Sequence, residues 1–185
     1  ESFCPVWAML KGNVEIVPEE LRTEYFDAML ACAAFYRTGG NTMDATRIYE
    51  ELMLPELPLS VRLAAFEGAI TVGGESAAPL VAAALTSGDA PWVKAALSHV
   101  RTLGGPASTD LFSRQLGAVV PDVQVSLLQA LADRGDCGAL PYVSEGIHSP
   151  EVVVQYATID ALGALGNETS LPLLLGGLAS TDPDM

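Results

Sequence analysis

Four stretches of this sequence, VRLAAFEGAITVG, VKAALSHVRTLGG, VQVSLLQALADRG and VQYATIDALGALG, start at Val61, Val93, Val123 and Val154. Each reaches a glycine twelve residues later, at Gly73, Gly105, Gly135 and Gly166. The eighteenth position after each valine carries Pro79, Leu111, Pro141 and Pro172, so a second segment keeps the same register. A period of about 31 residues marks stacked supersecondary units, each too small to bury its apolar face alone.

Offsets 0, 3, 4 and 7 from the four valines hold Val61, Ala64, Ala65, Gly68; Val93, Ala96, Leu97, Val100; Val123, Ser126, Leu127, Ala130; and Val154, Ala157, Thr158, Ala161. These offsets share one face of a helix. Pro58, Pro91, Pro121 and Pro150 stand at the starts, where a first-turn proline loses no helical hydrogen bond. The glycines at the far ends predict left-handed caps. Second helices are predicted from near Pro79, Pro141 and Pro172 to Thr86, Ile147 and Leu178. No sustained period-2 alternation and no Asn-Gly hairpin signal argues for strands. Half the residues are hydrophobic but only 6% are aromatic, so the interior is built from Ala, Leu and Val in close helical contact. The expected fold is all-α, a right-handed α-α superhelix of helix pairs. Small residues at offsets 3 and 7 let neighbours approach, and Ala96→Leu or Ala157→Leu is expected to destabilise by about 1–3 kcal/mol through overpacking.

Residues 1–57 read as an N-terminal segment and a capping helical hairpin, and residues 58–185 as four regular repeats with the start of a fifth at Met185. A helix is predicted from the opening Val17-Pro18-Glu19-Glu20 through Tyr36, with Leu21, Tyr25, Ala28, Met29 and Cys32 on one stripe, closed by Gly39 and Gly40. Asn41 caps a second helix running to about Met53, with Asp44 three residues on. The pair EYFDAMLACAAFYRTGG and NTMDATRIYEELM resembles a tetratricopeptide-type hairpin. Residues 1–16 stay ambiguous.

The phrases PDVQVSLLQALADRGDCGALPYV and SPEVVVQYATIDALGALGNETSLPLLLGGL, and the array over about 58–183, resemble the short HEAT-like repeats named after phycobilisome lyases. That resemblance implies a HEAT-like solenoid whose curved surface, lined by the second helices, is used for protein contact. Similar arrays also occur as spacers inside large bacterial extracytoplasmic proteins, an analogy toward that compartment that the residues themselves do not assign. The family's Val-Arg pair is present at Val61-Arg62 but becomes Val93-Lys94, Val123-Gln124 and Val154-Gln155, so a charged ladder along the turns is not expected in the later repeats.

A net charge of −14, with Arg62, Lys94, Arg101, Arg114 and Arg134 scattered along the chain, excludes nucleic acid as the expected partner. It also argues against anionic membrane surfaces, and no uninterrupted apolar run approaches the roughly 18 residues of a spanning helix. Cys4, Cys32 and Cys137 lack metal-ligand spacing. His99 and His148 fall in different repeats and on different helix types. No strained serine elbow and no phosphate-cradling glycine motif is present. The start at Glu1 suggests a trimmed or mature form of a longer product.

Neither cofactor nor metal is therefore expected. The expected role is a protein-interaction or spacer scaffold whose partner is another protein or a fused domain, with no membrane insertion. Self-association is expected through an apolar face over 171–178. The rival is an enzyme of the lyase type holding a chromophore or modified side chain in the concave groove. Trp92 is either a packed cover or a recognition anchor. Arg114, Gln115, Glu145 and His148 are the polar candidates for partner contact on the second helices. Glu15, Glu19, Glu20, Glu24 and Asp27 form either a solvated helix start or a dock for a basic partner.

Overall fold

The computed structural model describes residues 17–166, all of whose regular elements are helical. The ambiguous residues 1–16, Glu15, the helix expected over 171–178 and the fifth repeat at Met185 lie outside the described residues. The chain packs as two compact units, Glu1–Ala77 and Ala78–Met185.

In the first unit a 3-10 turn, Glu19–Leu21, leads into α1 (Arg22–Thr38), followed by α2 (Thr42–Leu52) and α3 (Leu59–Gly73), the last ending in a 3-10 turn over Gly74–Ala77. Asn41 begins α2 as expected: its Oδ1 accepts from the Asp44 N–H at 3.3 Å while its Nδ2 donates to the Asp44 carboxylate at 2.7 Å. All three helices pack on one another. Their core joins Tyr25, Phe26 and Met29 of α1 to Ile48 and Tyr49 of α2 and Phe66 and Ile70 of α3. Ala33, Ala45 and Ala65 are wholly buried and set the close spacing. Gly68 lies against the Tyr49 ring, which a Cβ at this position would strike. Leu21 departs from the expected stripe and is exposed, because the 3-10 turn places it before the first α-helical residue. The helical run Leu59–Leu85, of mean hydropathy 1.3, is long and apolar enough to cross a membrane by composition alone. Buried core helices meet the same criterion, and α3 packs on α1 and α2.

The second unit holds α4 (Ala78–Leu85), α5 (Ala90–Thr102), α6 (Pro106–Ser113), α7 (Pro121–Arg134), α8 (Leu140–Glu145) and α9 (Val152–Leu165). First helices α5, α7 and α9 pack side by side. The short second helices form a second layer, α4 against α6, and α8 against the 3-10 turn Arg114–Gly117 that ends α6. The period is thus realised as an α-α repeat. Four small or β-branched polar side chains, Ser108, Thr109, Ser113 and Thr158, are buried along with the apolar ones.

Details of the expected caps are corrected. Of the four expected cap glycines, Gly135 alone is a left-handed C-cap, at φ 72. At the first repeat the positive φ sits on Gly74. Gly105, at φ 88, starts α6 instead of ending α5, because Pro106 brings a pre-set helical φ immediately after it. This brings the second helix of that repeat forward to Pro106. Gly166 has φ −66 and is not left-handed.

The buried stripe also shifts phase between helices. In α5 it follows the expectation at Val93, Ala96 and Val100, but α3 buries Ala65, Phe66, Ala69 and Ile70 and leaves Ala64 exposed. Ala96 is fully buried and Ala157 only half-buried. Ala96→Leu is therefore expected to cost about 1–3 kcal/mol, Ala157→Leu less, and Ala64→Leu within about 0.5 kcal/mol of zero. Urea midpoints of the three variants check this order.

Candidate functional site

Where α7 ends, one arginine joins three elements of neighbouring repeats. The Arg134 guanidinium donates from Nη1 to the carbonyls of Val100, at 3.0 Å, and Leu103, and from Nη2 to the carbonyl of Gly105 at 2.9 Å. Its Nε donates to Thr109 Oγ1 at 2.7 Å, and its carbon lies 5.8 Å from the Phe112 ring centre. The last carbonyls of a helix lack intrahelical partners. A cation there is favoured by the helix dipole as well as by the hydrogen bonds. Thr109 passes the link on, donating to Asp136 at 2.5 Å, and Asp136 also accepts from the backbone N–H of Gly138 at 2.9 Å.

These two hydrogen bonds, the Thr109 hydroxyl first, hold the Asp136 carboxyl below its usual range. A depressed folded-state pKa contributes stability above the unfolded value of about 3.9, and that contribution is lost as pH falls through the folded value. Urea midpoints are thus expected to hold down to about pH 5 and fall below about pH 4. The fall should be shallower in Asp136→Asn. Equal slopes in both proteins would remove Asp136 from the account.

A second polar group lies in the second-helix layer. Tyr142 of α8 donates to Asp110 of α6 at 2.7 Å, and Arg114 pairs with Asp110 at 2.8 Å while its Nε donates to the Tyr142 oxygen at 3.3 Å. The tyrosine hydroxyl is the main reason that the Asp110 carboxyl is held low, followed by Arg114.

Of the sequence-predicted contact residues, Arg114 stands in this cluster with its side chain exposed. Gln115 is half-buried and spends its amide on the Leu111 carbonyl at 3.0 Å. Glu145 ends α8, and His148 closes the 3-10 turn after it; both are exposed. Trp92 is 8% exposed, so the indole serves as a packed cover in α5 and is not presented to a partner. Arg114, Glu145 and His148 thus sit on the second-helix layer, and Trp92 does not join them. The described acids, Glu19 and Glu20 of the 3-10 turn and Glu24 and Asp27 of α1, are exposed around the start of that helix.

Arg134, Thr109 and Asp136 were missed by sequence reasoning, which took Arg134 for one of several scattered cations. The signal was present in Arg134-Gly135-Asp136, where charges flank the glycine that turns the chain between helices. The expected weakening of the charged ladder is met by amides: Gln124 donates to the Leu116 carbonyl at 2.8 Å and Gln155 to the Ser149 carbonyl at 2.7 Å. Each ties the start of a first helix to the preceding turn.

Two grooves accompany these groups. One of about 540 Å³ opens between α5 and α7 of the second unit, and one of about 380 Å³ lies in the first unit beside Arg22, Asp27 and Glu56. No group of three or more His, Cys, Asp or Glu side chains that could hold a metal is found among the described residues. The shifted carboxyls, Asp110 and Asp136, are both pushed toward the ionised form, the opposite of a general acid poised at neutral pH.

In comparison with protein families, residues 109–185 match the model of HEAT repeats. No curated protein and no solved structure matches the chain.

Proposed function

We propose, from the premise that this chain carries HEAT repeats on a helical framework, that it is a non-catalytic protein-interaction or spacer scaffold. HEAT repeats suggest protein contact in general. The observation that carries the reading for this chain is the second-helix layer, where Arg114 is held by Asp110 and Tyr142 across a repeat boundary and where Glu145 and His148 are exposed. Side chains fixed in advance lose less entropy on binding, which suits a recognition strip. Arg114, Glu145 and His148 are the proposed contacts, with Gln115 beside Arg114 in the 3-10 turn that ends α6.

The chain is further proposed to be part of a larger protein. The outer side of α9 exposes Val152, Val153 and Tyr156, each more than half accessible, and a further repeat or a second copy would cover them. The likeness to lyase-type repeats and to a tetratricopeptide hairpin supports the repeat reading without assigning a reaction.

Affinity capture from the native source with the wild-type chain and with a Glu145→Arg, His148→Glu variant tests the scaffold. A partner recovered with the former and lost with the latter is expected. Equal recovery by both, or visible absorbance of the purified protein from a bound chromophore, would contradict it.

A further inference from the structure

The first helices α5 and α7 are pinned at their C-terminal ends, where Arg101 meets Asp133 at 2.8 Å and Arg134 holds the carbonyls of Val100 and Leu103. Toward their N-terminal ends the groove of about 540 Å³ opens between them, walled by Val93 and Leu97 of α5 and by Val123 and Ser126 of α7, and bordered by the turns at 86–89 and 118–120. Val120, 64% exposed, stands on its rim, and Lys94 and Asp122 are its charged residues.

We propose that this groove docks a protein segment bearing one bulky aliphatic or aromatic side chain flanked by Lys or Arg. Its volume and apolar lining are those of a pocket that takes an anchoring side chain, the arrangement in which a few buried groups carry most of the binding energy. Charge selects the flanks. In this unit Arg101, Arg114 and Arg134 are engaged with Asp133, Asp110 and backbone carbonyls. Asp89, Asp122 and Glu151 lie at the N-terminal ends of the three first helices, and Lys94 of α5 is the remaining Lys or Arg of this unit. A second copy of a chain of net charge −14 is disfavoured at this edge, whereas a cationic segment is drawn to it. The groove lies between first helices, apart from the second-helix strip, and shares with the scaffold reading only the premise of a protein partner.

The test pans the whole chain against a random peptide library and measures recovered peptides by fluorescence anisotropy. Recovered sequences should share one Leu, Ile, Phe or Trp with basic neighbours. Ser126→Leu, which fills the groove without changing charge, should weaken binding at least tenfold. Val120→Ser should weaken it several-fold, and Lys94→Glu should tighten it. Glu145→Arg, on the second-helix strip, should leave it unchanged, so this groove and that strip fail separately. Melting curves matching the wild type establish that each variant is folded. Acidic or pattern-free peptides, affinity unchanged in both Ser126→Leu and Lys94→Glu, or a dimer dispersed by Ser126→Leu would overturn the proposal.

Discussion

Arg134→Ala is expected to destabilise the second unit by about 2–4 kcal/mol. Hydrogen bonds to a charged group contribute about 1.5–3 kcal/mol, and buried acceptors left without donors add their own desolvation cost. The carbonyls of Val100, Leu103 and Gly105 all lose their donor at once in this variant. The neighbouring Arg101–Asp133 pair provides the contrast. Its side chains are 39% and 51% exposed, and a pair so placed contributes about 0–1 kcal/mol. Arg134→Lys should fall between, since an ammonium cannot span the carbonyls and Thr109 with one planar fork. Denaturant titration of the three variants ranks them. If Arg134→Ala behaves like Arg101→Ala, the node does not hold the repeats together.

Phe112→Ala is expected to lose about 3–5 kcal/mol, the range for a large aromatic deleted from a site that cannot collapse. Phe112 is 0% exposed and lies beneath the Arg134 guanidinium, so the variant opens a cavity and removes the surface against which the fork lies. Most of the loss is cavity and transfer energy, because a cation over a ring adds only about 0.5–2 kcal/mol. Phe112→Leu, which keeps most of the volume, should lose about 1.5 kcal/mol or less. A double variant of Arg134→Ala and Phe112→Ala should lose less than the sum, since the two share contacts. Strict additivity would separate ring from guanidinium.

The periodic part of the fold was legible because each first helix carries its own punctuation. The valine, the leading proline and the glycine twelve residues on placed α3, α5, α7 and α9 within a few residues. Asn41 and Asp44 likewise disclosed the start of α2, since a cap is a local interaction written in adjacent residues. What could not be read is the rotation of each helix. Offset 3 is fully buried at Ala96 and exposed at Ala64, a difference set by neighbours far along the chain and not by the helix's own residues.

The proposed strip could be named from the sequence as a set of polar residues, but the bonded cluster around Arg114 could not, because Asp110 and Tyr142 meet only after a whole repeat has folded. Arg134 was hidden for the same reason: its partners are backbone carbonyls, which every residue has and no sequence displays. Trp92 stands one residue before a leading valine, where the other repeats carry Ser60, Asp122 and Val153, a position open to a cover or an anchor; its burial makes it the cover.

The scaffold reading is tested most directly by placing a photo-activatable cross-linker at position 145 of the second-helix strip, with position 64 of α3 as a control on an exposed helix face. The account predicts a discrete protein adduct from position 145 in the native source, with none from position 64, and loss of that adduct in Arg114→Ser. No adduct from position 145, or the same adduct from both positions, would contradict it.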